Sequence, residues 1–546
     1  MNPRLVLPRL RRLAGEHKLF TWALAAGAVL RLLAMIGYPG ALWFAGDSYV
    51  YLGAALRPQP NNSKSTGYSF FLELLRPFHS LTLVTTVQHL MGLAVAVMIY
   101  VLLRRNSVPK TWSAIATLPV LLDGYIIENE HLIMAEPLFT FLLMVAVTML
   151  LWRPGTPRWW VAAIAGLLTG YAVDVRTQGA AMLAVLPLFL LLRGWSWKTL
   201  RGWLVAIAFA VASLVPVGGY VAWFHQRTGQ TNVTLSTGYY LWGRVSSFAD
   251  CAAIQPTGEE AVVCPTQPIA DRTPPGDYIW HAPYVHADMD AICTVTVKNV
   301  KTSKECGPVS PAGNKVLTDF AIDAVEAQPL AYLKTVFFDT MLSFGFPRIG
   351  YPGAGTTYYY SFHLHYVTAQ YNMLPPNNPD HEWINGGTAY QDWLSYGHQA
   401  PGVVHRFAAI PILLYQRVVY TYGPLLAVIF LFGLGGLLSV SAARRRGRRE
   451  GPRWLRPAEE LRSVSLSSVR LHWAPRGTTM LPWVTAVVLL VFPIAIADFD
   501  YRYLIPAIPF ACLAAGLASA PRRAVLADPE PQSAPDVEST VPDQVS

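Results

Sequence analysis

Charge is scarce in this sequence. Only 14% of its 546 residues are Asp, Glu, Lys or Arg, against 53% apolar and 12% aromatic. A soluble chain carries about a quarter of its residues as charges, so an ordinary soluble globular protein is excluded. The net charge of +9 does not point to nucleic acid either. The basic residues sit in short runs beside apolar stretches, the pattern that keeps positive loops on the cytoplasmic side of a membrane. Cysteine is also sparse, with five residues and no close C-x-x-C spacing, which weighs against a zinc site. Related repeats with paired interrupted helices, the mark of many transporters, are missing as well.

What is present is a series of apolar windows, at 19–36, 81–103, 112–127, 132–152, 159–173, 179–192, 203–224, within 410–440, at 481–497 and at 504–518. Basic clusters, among them Arg104-Arg105, the run 444–449 and Arg522-Arg523, fall on one side, and nearly all acidic clusters fall on the other. The expectation is an all-α polytopic membrane protein with about ten transmembrane helices, in the plasma membrane, with both termini cytoplasmic. Three windows, 112–127, 159–173 and 179–192, fall short of the roughly 20 residues that cross comfortably. Short spans pull polar ends below the surface, where only a lined cavity tolerates them. Glu128, Glu130, Asp174 and Arg176 are candidates for such a cavity. Asp123 should face a cavity or a partner, and Arg31 is within reach of snorkelling outward.

The chain divides into a transmembrane module at 1–224 with a first outer loop at 38–80, an extracytoplasmic insertion of mixed structure at 225–406, C-terminal spans at 407–522 with a basic cytoplasmic loop at 441–478, and a disordered tail at 523–546. The insertion carries Cys251, Cys264, Cys293 and Cys306, two equally spaced pairs in an outward-facing segment. That reads as two disulfides, with three connectivities open and 251–264 with 293–306 the simplest. Cys512 reads as inert packing in the last span. Residues 329–346 form an amphipathic stretch expected to lie on the membrane.

The first outer loop carries the most suggestive chemistry. Asp47 follows the first span among Trp43, Tyr49 and Tyr51, and a lone cation, Lys64, precedes the turn Ser65-Thr66-Gly67. An acid and a base at a membrane surface read as the front of a catalytic cavity. The pattern, with the G-Y-x-x-F run at 67–71, resembles the GT-C membrane glycosyltransferases. So do the run at 130–141, which contains Glu130, His131 and Glu136, and the run Asp500-Tyr501-Arg502-Tyr503 with its following prolines. The nearest groups are the protein O-mannosyltransferases and lipid A aminoarabinose transferases. Within them the chain is most similar to actinobacterial proteins that share Arg-Val-x-x-Phe-Ala-Asp-Cys, here 244–251, which implies a bacterial origin. The resemblance covers residues 1–225 and the last spans. Relatives often carry two adjacent acids in the first loop, whereas Ser48 follows Asp47 here, leaving metal use and a single-base role open.

The resemblance implies an inverting glycosyltransferase that moves a sugar from a polyprenyl-phosphate donor to a hydroxyl acceptor on the outer face, the acceptor being a protein, a glycolipid or a polysaccharide. The resemblance fixes no cofactor and leaves a divalent cation open. A lipid-phosphate sugar already has a good leaving group, so the site needs a base for the acceptor proton and cations for the phosphate. Asp47 is the expected base. Lys64, Arg176 and Arg502 are the expected phosphate ligands, and Glu130, His131 and Glu136 are expected to orient the acceptor or complete a cation site. The alternative is a non-catalytic membrane scaffold or a transporter of cell-envelope precursors.

Overall fold

A computed structural model describes residues 15–44, 47–280, 309–348, 350–351, 357–365, 383–384, 387–398, 403–438 and 477–520. The basic loop, the acidic tail, Cys293 and Cys306 lie outside the described residues. The principal helices are α1 (Lys18–Gly37), α2 (Ser48–Leu56), α3 (Leu81–Arg105), α4 (Gly124–His131), α5 (Glu136–Leu151), α6 (Trp159–Val175), α7 (Leu200–Thr228), α8 (Thr237–Ser246), α9 (Pro311–Ala327), α10 (Pro329–Leu342), α11 (Arg406–Val418), α12 (Gly423–Leu437), α13 (Gly477–Ile496) and α14 (Leu504–Ala518). Among the described residues, strands are confined to the two-residue pair Trp383–Ile384 and Gly387–Thr388, so the described part of the insertion consists of helices and connecting segments with that one small strand pair.

Five helices are long and apolar enough to cross a membrane, and six if α11 and α12, bent by 60°, count as one broken span. These apolar lengths make the chain a multi-pass membrane protein. Three further apolar helices have 10–17 residues, and the expected span at 112–127 is broken. That stretch forms Lys110–Ile115, Leu118–Leu122 and α4 in turn. The break before α4 falls at Asp123, whose carboxylate accepts from Tyr125 N (2.8 Å) and Ile126 N (3.3 Å) and also from Thr421 N (2.7 Å). Asp123 therefore caps one helix and fastens the bend between α11 and α12, satisfying donors that would otherwise be orphaned at depth.

Small residues let the helices approach closely. Gly166 and Gly170, a G-x-x-x-G pair on α6, lie against the carbonyls of Phe209 and Ser213 on α7, where an added Cβ would come within 2.3 and 2.1 Å of those oxygens. In lipid, which gives no hydrophobic drive between helices, this backbone contact is the main attraction. It holds the end of α6, and hence Arg176, in a fixed place.

The insertion has its own core of Trp242, Val245, Phe248, Tyr278, Leu317 and Phe320 between α8 and α9. The run 244–251 is structural. Arg244, fully buried, donates to Asp339 Oδ2 on α10 at 2.5 Å, Asp250 caps the helix Cys251–Ile254, and Cys251 is bonded to Cys264. The α10 helix buries Val336, Asp339 and Thr340 and exposes Leu330, Leu333, Phe337, Phe338 and Met341, a one-sided apolar stripe suited to lying in the interface. The Cys251–Cys264 bridge spans 13 residues, so Cys251→Ser should lower the stability of this unit by about 3 kcal/mol. Non-reducing peptide mapping should recover the two cysteines as one linked species, with the buried Cys512 as a thiol.

Candidate active site

The approach to Asp47 is fixed by backbone pairing. Leu42 donates to the His131 carbonyl at 2.8 Å, and Ile133 donates to the Leu42 carbonyl at 3.1 Å. The Ser48 hydroxyl accepts from Phe44 N (2.8 Å) and donates to the Ile133 carbonyl (3.0 Å). Ser48, which follows Asp47, is therefore a buried fastener. Asp47, 3% exposed, is held just before α2.

The Lys64 loop is pinned from several sides. Asn61 Oδ1 accepts from Ser63 N and Lys64 N, a local side-chain turn of the kind Asn favours. The chain returning after α7 then clamps it, with Leu235 N on the Asn62 carbonyl (2.7 Å) and Ser236 Oγ on the Ser63 carbonyl (2.8 Å). The turn Ser65-Thr66-Gly67 docks on the end of α6, where a Cβ at Gly67 would lie 2.4 Å from the Asp174 carbonyl. Only glycine allows this approach, and it is what brings Lys64 to Arg176.

Arg502 arrives from the turn Tyr501–Tyr503 ahead of α14, capped by Asp500. Its Nη1 donates to Asp47 Oδ2 at 2.7 Å and its Nε lies 3.2 Å from Asp500 Oδ2. Tyr360 OH donates to the same Asp500 oxygen at 2.8 Å, and the guanidinium stands 5.3 Å from the rings of both Phe44 and Tyr503. Lys64 forms an ion pair with Asp47 Oδ1, and Arg176 forms one with Glu136. Burial alone would raise the Asp47 carboxyl, but Lys64 and then Arg502 outweigh it and hold the group well below the ordinary carboxylate range. Burial works against the Lys64 ammonium, and Asp47 more than offsets it.

This sets a pH dependence of stability. A depressed acid stabilises the fold above the ordinary carboxylate value of about 3.9, and that contribution is lost as pH falls towards the folded value. Wild type should therefore lose stability on acidification below about pH 4 more steeply than Asp47→Asn, as measured by thermal unfolding in detergent.

Asp47, Lys64, Arg176 and Arg502 line one cavity of about 400 Å³, together with Tyr51, Tyr240 and Tyr503. One wall is apolar, from Phe492, Pro493, Ile496 and Ala497 at the end of α13 and Val173 and Val175 of α6. Glu136 stands behind Arg176. Glu130 and His131 are placed elsewhere. Glu130 binds Arg31 through both oxygens at 2.7 Å and His89 Nδ1 at 2.9 Å. His131 bridges His89 Nε2 (3.0 Å) and the Tyr38 carbonyl (2.8 Å). Arg31 is thus buried instead of snorkelling, because Glu130 and the carbonyls of Gly27 and Leu121 complete its shell. Glu128 and Asp174 are buried but do not line the cavity. Sequence reasoning assigned no site role to Asp500, Tyr360 or the 232–237 segment. Asp500 stood inside the quoted run at the last spans and Tyr360 in an aromatic-rich stretch, whereas nothing local marked 232–237.

Among the described residues no three His, Cys, Asp or Glu side chains gather to hold a metal ion. The acids in and behind the cavity do not suit a divalent cation as they stand, since Asp47, which lines it, and Glu136 and Asp500 behind it each face a cation of the protein itself.

No known family model matches the chain, and no curated protein does. Solved structures of the oligosaccharyltransferase of Archaeoglobus fulgidus are similar over 90–91% of this chain at 11–12% identity. They include the enzyme in its apo form, AglB in complex with an inhibitory peptide and a dolichol-phosphate, and the enzyme tethered to an acceptor peptide, with TM-scores of 0.31, 0.36 and 0.32. The chain spans about half the length of these structures. TM-scores of this size do not establish a common fold.

Proposed function

We propose that the chain is an inverting glycosyltransferase of the plasma membrane, moving a sugar from a polyprenyl-phosphate donor to a hydroxyl acceptor on the outer face. The observation that carries this reading is one buried carboxylate, Asp47, set between Lys64 and Arg502 with Arg176 alongside, in a cavity with an apolar wall. Three cations suit a phosphate, and the two arginines offer the planar fork that grips it. The apolar wall suits the first units of a lipid chain.

Paired with Lys64 and Arg502, Asp47 is a poor base, because its charge is already matched. The donor phosphate competes for Lys64 and Arg502 and takes them over, leaving the carboxylate free to accept a proton. The acceptor oxygen attacks the anomeric carbon from the face opposite the phosphate and its proton passes to Asp47. The carbon–oxygen bond to phosphate breaks, and the electron pair leaves on the lipid phosphate, whose added charge the three cations hold. Asp500 and Tyr360 are positioning residues that aim Arg502.

The test is release of polyprenyl phosphate from a short-chain polyprenyl-phosphate sugar by the full chain in liposomes, dependent on a hydroxyl-bearing envelope fraction. Absence of release with folded protein, across neutral and charged sugars, removes the reading. Arg176→Ala should weaken donor binding and turnover together, about tenfold or more, because phosphate is present in ground and transition states alike. A normal donor affinity in that variant would take Arg176 out of the phosphate site.

A further inference from the structure

A buried tyrosine ordinarily commits its hydroxyl within the protein, because an unmade hydrogen bond is costly away from water. Here Tyr38 donates to the His363 carbonyl (2.9 Å), Tyr68 to Gln88 Oε1 (2.6 Å), Tyr360 to Asp500 Oδ2 (2.8 Å) and Tyr396 to the Leu72 carbonyl (2.6 Å). Two tyrosines depart from this pattern. Tyr51 and Tyr503 are each only 5% exposed, and neither hydroxyl has a hydrogen-bond partner among the described residues. Neither oxygen is sealed in the packing, and both side chains line the cavity that holds Asp47.

Their placement follows from the backbone. Tyr51 N donates to the Asp47 carbonyl at 3.2 Å, one helical turn on, which sets the ring on the carboxylate's side of α2. The charges of Asp47, Arg176, Glu136 and Arg502 all act on it. Tyr503 follows Arg502 directly, and its ring stands 5.3 Å from the Arg502 guanidinium and 6.0 Å from that of Arg176. Two phenols from opposite ends of the chain thus open on the space beside the same two arginines.

The cations Lys64, Arg176 and Arg502 each already hold a carboxylate, so an incoming anion must displace one to reach them. An uncommitted phenol has nothing to displace. Burial, reinforced by Asp47, pushes the Tyr51 phenol well above its ordinary value, so its proton stays in place as a hydrogen-bond donor. Such a group neither gives up a proton in the transfer nor competes with Asp47 as a base.

Resting on the reading of this cavity as a donor site, we propose that Tyr51 and Tyr503 bind the lipid phosphate, donating neutral hydrogen bonds to its oxygens that strengthen as the sugar leaves. In the donor the phosphate is a diester with one negative charge. When its bond to the anomeric carbon breaks, the electron pair stays on the phosphate oxygen, which becomes part of a monoester with a second charge. Hydrogen bonds to an anion grow stronger with its charge, so the two phenols favour the leaving group over the bound donor.

The experiment measures equilibrium binding to the full chain in nanodiscs of two short-chain lipids, a polyprenyl monophosphate and its methyl diester, near pH 8, well above the second phosphate pKa of about 6. Both lipids meet the same Asp47 ion pairs, so that competition cancels. Tyr51→Phe and Tyr503→Phe keep the rings and remove only the donors. Each should weaken monophosphate binding about tenfold and methyl-diester binding no more than about threefold. The two variants are read separately, so a folding defect in one leaves the other to decide. Wild-type affinity for both lipids in a folded variant overturns the proposal, and so does an equal loss on the two, which is what a packing role would give. Either result leaves the donor-site reading intact. Failure of wild type to bind either lipid, or displacement of the monophosphate by an equal concentration of inorganic phosphate, instead overturns the donor-site reading, and this proposal falls with it.

Discussion

Asp47→Asn is expected to reduce glycosyl transfer by about 10²–10⁴-fold, the range lost when a positioned base is removed. Donor binding should be kept or tightened, a combination that a purely structural role would not produce. The carboxylate that pairs with Lys64 and Arg502 also competes with the donor phosphate for them. The amide keeps the size of the side chain but gives up both the charge and the proton acceptance. Turnover in liposomes, read beside donor affinity and a thermal unfolding curve for the same preparation, checks all three points. Near-normal turnover in a folded variant would remove the base assignment. Weakened donor binding would mean that the ion pairs shape the pocket more than they obstruct it.

Arg502→Ala should be the most destabilising single change in the cavity. The guanidinium is 6% exposed and is shared between Asp47 and Asp500. Removing it leaves two buried carboxylates short of a cation and opens the space between Phe44 and Tyr503. Breaking a buried pair in this way costs about 3–5 kcal/mol, which thermal unfolding at matched detergent would read directly. Donor affinity should fall with it. Arg502→Lys restores charge but neither the fork nor the flat face between the two rings, so it should recover only part of both quantities. Wild-type stability in Arg502→Ala would show that the acids accept protons or reach water without penalty.

Much of the membrane architecture was legible in the sequence, because a long apolar helix is written in consecutive residues. The five long helices and the bent pair fall on windows that composition alone picks out. The broken segment was not legible, since its apolar content looks continuous and the break depends on Asp123 meeting Thr421 from far along the chain. The cavity divides in the same way. Asp47, Lys64, Arg176 and Arg502 stand out as charges next to spans, where burial demands a reason. Glu130 and His131 stand beside Glu136 in sequence, but the chain turns extended at Leu132 and sends them to Arg31 and His89. Tyr360 and Asn232 are ordinary residues in polar stretches, and only the return of distant segments gives them a place at the site.

The self-matched charges of the cavity bear on how the proposed donor site would behave in a crowded envelope. With Asp47 already seated on Lys64 and Arg502, any anion from bulk water must displace a carboxylate that is covalently tethered at the spot, at a local concentration no dilute ion can rival. Chloride and inorganic phosphate gain little from that exchange. Under the proposed function, a phosphate on a lipid anchor is confined to two dimensions, so it arrives with an effective concentration of its own. Selection between the two classes of anion then follows from where they travel, without requiring tight binding, and a site that holds its product loosely can let the spent lipid go.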